Sequence, residues 1–267
     1  MPPSPVFPNA RYTVHEQVWL AAVLVYTLAP VGTLLVYQRP RGVDIGWDFA
    51  MAVGIFAAGG LALLPLLSAR WWAPHLRSAG FLRLVQDVHR YLAYGLVVWI
   101  SVHVGLLCVL EPRTVGYLKP DAVPAMFAGL LGLLIVVFLI LSSRYRTRLR
   151  WPYPSWRHWH ALLSLATVVL AGWHVLGAGY YYRSSGALVA FLWLLAAPSL
   201  VTLRLRRWPL RAISPREAPE RLPARGRAAR VVWAIMLIWL AAALGFAETG
   251  HWSLSTEQTL CPVEPCL

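Results

Sequence analysis

Residues 89–103 read His-Arg-Tyr-Leu-Ala-Tyr-Gly-Leu-Val-Val-Trp-Ile-Ser-Val-His, an apolar segment with a histidine at each end. The apolar run continues to Leu110 and so reaches the roughly 20 residues that cross a bilayer as a helix. Because lipid offers no hydrogen-bond partners, such a segment satisfies its own backbone only as a helix. Seven runs of this kind predict an all-α, polytopic membrane helix bundle with a six-helix core and a seventh C-terminal helix: Val18–Tyr37, Phe49–Ala69, His89–Leu110, Ala122–Leu141, Trp159–Tyr180, Gly186–Leu203 and Val231–Ala247.

The composition of the chain also indicates a membrane protein. Of its 267 residues, 58% are hydrophobic and 13% are charged, whereas soluble domains average about 25% charged residues. The presence of only three cysteines excludes a disulfide scaffold and a cysteine-rich zinc site. The N-terminus has no basic segment ahead of a short apolar core, so we expect the first run to remain as an anchor rather than to be cleaved.

The positive charges predict the orientation of the chain. The net charge of +13 comes from 23 Arg and one Lys against 11 acidic residues. Nineteen of these cations lie in the N-terminal segment and in the loops after the second, fourth and sixth runs. The positive-inside rule therefore predicts a cytoplasmic N-terminus and an outer C-terminus, and the charge needs no nucleic acid to explain it. In the outer tail, Cys261 and Cys266 are expected to form either a small disulfide loop or two unpaired thiols.

Four histidines in the third and fifth runs share one spacing. His89 and His103 are fourteen residues apart, and so are His160 and His174. Fourteen residues turn an ideal helix by about 1400°, about 40° short of four turns, and rise about 21 Å. Each helix therefore directs two imidazoles toward one side, one in each leaflet of the bilayer. Since both helices run from inside to outside, His89 is expected level with His160, and His103 level with His174.

These four imidazoles predict two bis-histidine haem sites. Iron in a porphyrin accepts axial imidazoles, whereas zinc needs three or four ligands at one depth, and the two runs contain no Asp or Glu to complete such a set. A lone membrane histidine is more often a packing or hydrogen-bonding residue, but four matched in depth and direction favour ligation. His158 lies about 160° from His174 around the helix and is not expected to bind. The remaining histidines are assigned to loops or terminal segments: His15, His75 and His251.

With Trp156-Arg157 ahead of the second pair, the pattern resembles the ferric reductase-like transmembrane domain. This domain is shared by ferric reductases, NADPH oxidases and the haem membrane partner of a bacterial periplasmic methionine sulfoxide reductase. The resemblance covers about Phe49 to Leu203. It implies two b-type haems (heme b) that carry electrons from the cytoplasmic side to the outer side of a bacterial inner membrane. The expected organisation is a haem domain at 1–210, followed at 211–267 by an Arg-rich cytoplasmic loop, the seventh helix and an outer tail.

The chain departs from the oxidases and reductases of this family after its sixth run. No Gly-rich dinucleotide fingerprint follows a strand there, so the chain is not expected to oxidise NAD(P)H by itself. The expected donor is a separate flavoprotein or a quinol at the cytoplasmic face, and a periplasmic redox protein is the candidate acceptor. Whether the chain is an enzyme or an electron-transfer subunit stays open. The alternative is a membrane transporter or a non-redox anchor subunit.

Further residues are expected beside the haems. Arg90 and Arg157 adjoin the inner pair and are candidates for ion pairs with haem propionates, although both also fit the role of topology-setting charges. Trp99 lies one turn before His103 and is a candidate to pack between the two macrocycles, with ordinary core or lipid packing as the alternative. Two more cations are candidates near the outer site: Arg113 and Arg183.

Overall fold

The computed structural model describes residues 14–37, 44–68, 79–119, 122–178, 182, 184–205 and 224–260. These residues form helices and short connections, with no strand in any of the described ranges. A 3₁₀ segment, Pro112–Leu118, follows the third helix. The α-helices are α1 (Val14–Tyr37), α2 (Ile45–Ser68), α3 (Ala79–Leu110), α4 (Pro124–Tyr145), α5 (Tyr153–Gly177), α6 (Ser185–Leu205) and α7 (Ala224–Leu260). The predicted all-α, polytopic helix bundle is confirmed.

Five of these helices are long and apolar enough to cross a membrane: α2, α3, α4, α5 and α7. The other two carry shorter apolar segments, Ala21–Pro30 in α1 and Ser185–Val201 in α6. Each of these two helices also contains a proline, Pro30 or Pro198, which removes one backbone hydrogen bond from the helix interior. Each of the seven predicted runs coincides with a helix over most of the residues that the structure describes, and five of these helices reach the length and hydropathy of a membrane span.

Two helices extend well beyond the apolar runs that predicted them. α3 begins at Ala79, ten residues before His89, because Phe81, Leu84, Val85 and Val88 form a buried stripe on an otherwise polar segment. Apolar residues at three- and four-residue spacing are typical of a helix with one buried face. α7 continues to Leu260, so much of the expected outer tail is helical. Cys261 and Cys266 lie outside the described residues.

The core of the bundle is built around α2. Of its 18-residue apolar window, 72% is buried, against 17% for the corresponding window of α3. α2 packs against α3 on one side and against α6 and α7 on others. Trp239 of α7 is 1% exposed, stacks on Phe56 at 6.2 Å and donates its indole N–H to the Thr27 carbonyl at 2.9 Å. The seventh helix is therefore part of the same core, while the division at residue 210 stays a prediction.

α3 and α5 have different main neighbours, and α2 contacts both of them. α3 packs mainly on α2, and α5 packs mainly on α4. Among the described helices, α3 and α5 make no extensive contact with each other. These two helices instead face each other across a gap, and the residues that bridge this gap form the candidate site.

Candidate functional site

Two pairs of histidine side chains bridge the gap between α3 and α5. The rings of His89 and His160 have centroids 6.4 Å apart and planes at 54°. The rings of His103 and His174 also have centroids 6.4 Å apart, with planes at 80°. Because the earlier residues of the two helices pair with each other, as do the later ones, α3 and α5 run in the same direction. The structure thus brings together the residues that the fourteen-residue spacing matched.

The His103–His174 pair adjoins a cavity of about 230 Å³. Its wall is almost entirely apolar and comes from α2, α3, α4 and α5, with residues of the 3₁₀ segment at one end. Among the residues that line it are Met51, Ile55, Ala58, Leu107, Cys108, Thr114, Tyr117, Met126, Leu130 and Leu133. A largely apolar cavity with a few polar groups is typical of cofactor sites in proteins.

The His89–His160 pair adjoins a second cavity, of about 300 Å³. This cavity is more polar than the first one. The polar side chains in its wall are Gln86, Arg90, Tyr94, Ser143, Trp156, Ser164 and Thr167. The two cavities therefore offer different surroundings to whatever each histidine pair binds.

The separation of the rings fits a metal held between each pair. A metal–imidazole bond is about 2 Å long and a ring nitrogen lies about 1.1 Å from the ring centroid, so two imidazoles on opposite sides of one metal have centroids about 6.2 Å apart. Both observed separations are 6.4 Å. Within the described ranges no three His, Cys, Asp or Glu side chains cluster as a metal site. The residues therefore fit an iron porphyrin with two axial imidazoles better than a metal bound by side chains alone.

Hydrogen bonds set the tautomer of three of these rings. The Nδ1 atom lies 3.0 Å from the Leu64 carbonyl in His89, 2.7 Å from the Ala50 carbonyl in His103, and 3.0 Å from the Ala125 carbonyl in His174. A carbonyl only accepts, so Nδ1 carries the proton in each ring and donates it. The lone pair is then on Nε2, the arrangement that histidine ligands of metals adopt.

Two glycines allow the His103 and His174 rings to reach these carbonyls. On a helix, the side chain at position i+4 points back over the carbonyl of residue i. Gly54 is four residues after Ala50, and Gly129 is four residues after Ala125. A Cβ on Gly54 would lie 2.7 Å from the His103 ring, and a Cβ on Gly129 would lie 2.7 Å from the His174 ring. Neither glycine was predicted from the sequence, although both follow an alanine by four residues, an Ala-x-x-x-Gly spacing in α2 and in α4.

His160 has different surroundings from the other three histidines. Its Nδ1 atom lies 3.5 Å from the Ser143 hydroxyl oxygen, which itself donates to the Leu139 carbonyl at 2.6 Å. Its ring packs against the ring of Trp156, with centroids 4.9 Å apart. Trp156 also lines the His89–His160 cavity, and its buried indole N–H has no acceptor among the described residues. From the sequence, Trp156 was predicted only as part of the family pattern, and Ser143 was not predicted.

The two arginines predicted beside the inner pair occupy different places. Arg90 lines the His89–His160 cavity and approaches Asp87 at 3.5 Å. Arg157 is exposed and is not among the residues that line either cavity. The cause is helical geometry, because Trp156, one residue earlier, is about 100° away on α5 and takes the side that faces the cavity.

The remaining predicted residues lie away from the two cavities. Trp99 contacts Trp239 of α7, with ring centroids 6.4 Å apart, and packs against the core; its place between the macrocycles stays a prediction. Arg113 is exposed and lies 3.9 Å from Glu111, and Arg183 is outside the described residues. His158 is exposed, as expected, with its Nδ1 atom 3.4 Å from the Pro154 carbonyl.

Comparisons with known proteins agree with this arrangement. The family model of the ferric reductase like transmembrane component matches residues 53–171, a segment from α2 to α5 that contains His89, His103 and His160 and ends three residues before His174. An uncharacterized protein of Archaeoglobus fulgidus is 30% identical over 137 residues, which cover 48% of this chain and 73% of the archaeal protein. No solved structure matches the chain. On its sequence match, and in keeping with its helical fold, the chain belongs to the ferric reductase-like transmembrane component family.

Proposed function

We propose that this protein is a di-haem membrane cytochrome b that moves electrons across a bilayer. His89 and His160 would be the axial ligands of one haem, and His103 and His174 those of the other. Haem iron supplies a one-electron ferric–ferrous couple whose potential depends on its axial ligands and surroundings. Membership of the ferric reductase-like family supports a role in membrane electron transfer.

One observation carries the proposal. Two histidine pairs on the same two helices have the same ring separation, 6.4 Å, and it is the separation that a metal between two imidazoles requires. Four histidines that served only packing would not need this separation in both pairs. The Nδ1 hydrogen bonds of His89, His103 and His174 add support, because they leave Nε2 as the ligating atom in each ring.

The protein groups around each pair have separate roles in this proposal. The carbonyls of α2 and α4 hold the imidazoles in one orientation and increase their basicity as ligands. The apolar wall around His103 and His174 excludes water from that site. The guanidinium of Arg90 gives the other cavity a cation that suits a haem propionate. Imidazoles would occupy both axial positions of each iron. An electron acceptor would therefore receive electrons through the porphyrin edge of the haem at His103 and His174.

The direction of transfer and the partners are also proposals. We place the His89–His160 site at the cytoplasmic side of a bacterial inner membrane, with a cytoplasmic N-terminus and residues 1–210 as the haem domain. A separate flavoprotein or a quinol would donate there, and a periplasmic redox protein would accept at the other side. The support is the distribution of Arg and Lys along the chain. Reporter fusions at both termini test the orientation, which would be reversed if the C-terminal reporter were active only in the cytoplasm.

Counting haems tests the proposal directly. The full chain, expressed with haem available and purified in detergent, should be red and contain about two b-type haems per protein. His103→Leu should lower this number to about one, because only one pair loses a ligand. His158→Leu is the matched control and should retain both haems, since His158 is exposed and lines neither cavity. A folded but colourless wild-type protein would refute the cytochrome and favour a transporter or anchor.

A further inference from the structure

Arg146, Trp156 and His160 form a continuous stack from the end of α4 to the first histidine pair. The guanidinium carbon of Arg146 lies 5.8 Å from the centroid of the Trp156 ring. The Trp156 ring lies 4.9 Å from the His160 ring, with planes at 39°.

The Trp156 ring gives His160 a contact besides its hydrogen bond. The other three imidazoles donate to backbone carbonyls at 2.7–3.0 Å, whereas His160 reaches the Ser143 hydroxyl at 3.5 Å, the limit of hydrogen bonding. Packing against Trp156 restricts the imidazole further, since aromatic rings at this separation attract each other.

Arg146 in turn fixes Trp156. The buried indole N–H makes no hydrogen bond within the described residues, so contacts with the ring faces determine where the side chain lies. Arg146 is less exposed than Arg144 and Arg148, and its guanidinium lies over both Trp156 and Tyr153. A cation over an indole ring is attracted by the ring's negative face.

We propose that Trp156 is a positioning residue for His160 and that Arg146 both holds Trp156 and applies a positive charge to the His89–His160 site. This inference rests on the proposed haem function. It assigns the orientation and the electrostatics of one axial ligand to a stack that does not touch the other histidine pair. The positive charge favours the reduced form of a haem at this site, because the ferric form carries one more positive charge than the ferrous form.

The charge effect is tested with two arginine variants of the purified, haem-loaded full chain. Arg146→Gln should shift the reduction equilibrium of one haem about two- to fivefold toward the oxidised form, as expected for a partly exposed ionic contact, while the haem content stays unchanged. Arg148→Gln is the matched control, because it removes the same charge from the same turn but lies over Tyr145, at 5.6 Å. Equal shifts in the two variants, or no shift in Arg146→Gln, would overturn the assignment.

The positioning effect is tested by the low-spin electron paramagnetic resonance signals of the ferric haems, which report the orientation of the axial imidazole planes. Trp156→Leu should change the g values of one haem and leave those of the other unchanged. Trp156→Phe retains an aromatic face and should restore the wild-type g values. Unchanged spectra in Trp156→Leu would refute the positioning role while the two-haem proposal survives. A wild-type protein that binds no haem would overturn both.

Discussion

A methyl group added to Gly54 should selectively damage the His103–His174 site. The Cβ of an alanine would lie 2.7 Å from Cε1 and 2.8 Å from Nδ1 of His103. Carbon atoms pack at about 3.5–4.0 Å, so the ring would have to withdraw from α2 by about 1 Å. The Nδ1–carbonyl distance to Ala50, now 2.7 Å, would then exceed hydrogen-bonding range.

The size of the effect follows from these distances. Loss of a hydrogen bond to a ligating histidine typically costs about 10–100-fold in metal affinity, and overpacking of a close contact adds about 1–3 kcal/mol of destabilisation. We therefore expect Gly54→Ala to weaken haem binding at this site by at least about tenfold. The His89–His160 site, which is about 21 Å away along the helix axis, should be unaffected.

The assay is a haem titration of the apoprotein that separates the two sites by their spectra. Gly105→Ala is the matched control, because it is the same substitution two residues after His103 and its Cβ would meet no described atom within 4 Å. This control should retain both affinities and gain slight helix stability. Normal affinity at both sites in Gly54→Ala, or equal losses in the two variants, would show that the close approach to Gly54 does not orient His103.

Three other expectations follow from the geometry. Gly129→Ala should weaken the same site through His174, whose ring lies 2.7 Å from the added Cβ; affinity equal to that of wild type in a haem titration would contradict this. Trp239→Ala should destabilise the bundle by about 3–5 kcal/mol, seen as a lower melting temperature, because this side chain is 1% exposed. The haem with imidazole planes at 80° should show larger g anisotropy than the one at 54°, and identical signals would count against these angles.

The position of the helices and the pairing of the histidines follow from local periodicity. Hydropathy alone predicts α2 and α4, since both are apolar along most of their length. A fourteen-residue spacing nearly completes four helical turns, so the common direction of His89 and His103 depends on α3 alone. The start of α3 at Ala79 is different, because its first turns are amphipathic and have too little total hydropathy for a membrane run.

The supporting residues could not be predicted because they depend on how helices pack. Backbone carbonyls accept hydrogen bonds whatever the side chain, so Ala50 and Ala125 carry no signal for their role. Trp99 and Arg157 were placed near the haems by their separation in sequence from the histidines. A rotation of about 40° to 100° around the helix axis is enough to turn them toward α7 and toward the surface.

The gap between α3 and α5 has a consequence for how the protein matures. The two helices make no extensive direct contact with each other, and paired histidine rings meet across the gap between them. A ligand bound by both members of each pair would link α3 to α5, and its binding energy would add to the energy of folding. The supply of that ligand during membrane insertion would then decide whether α3 and α5 of a newly made chain become linked. A chain without the ligand would be less stable and would be degraded by proteases more readily.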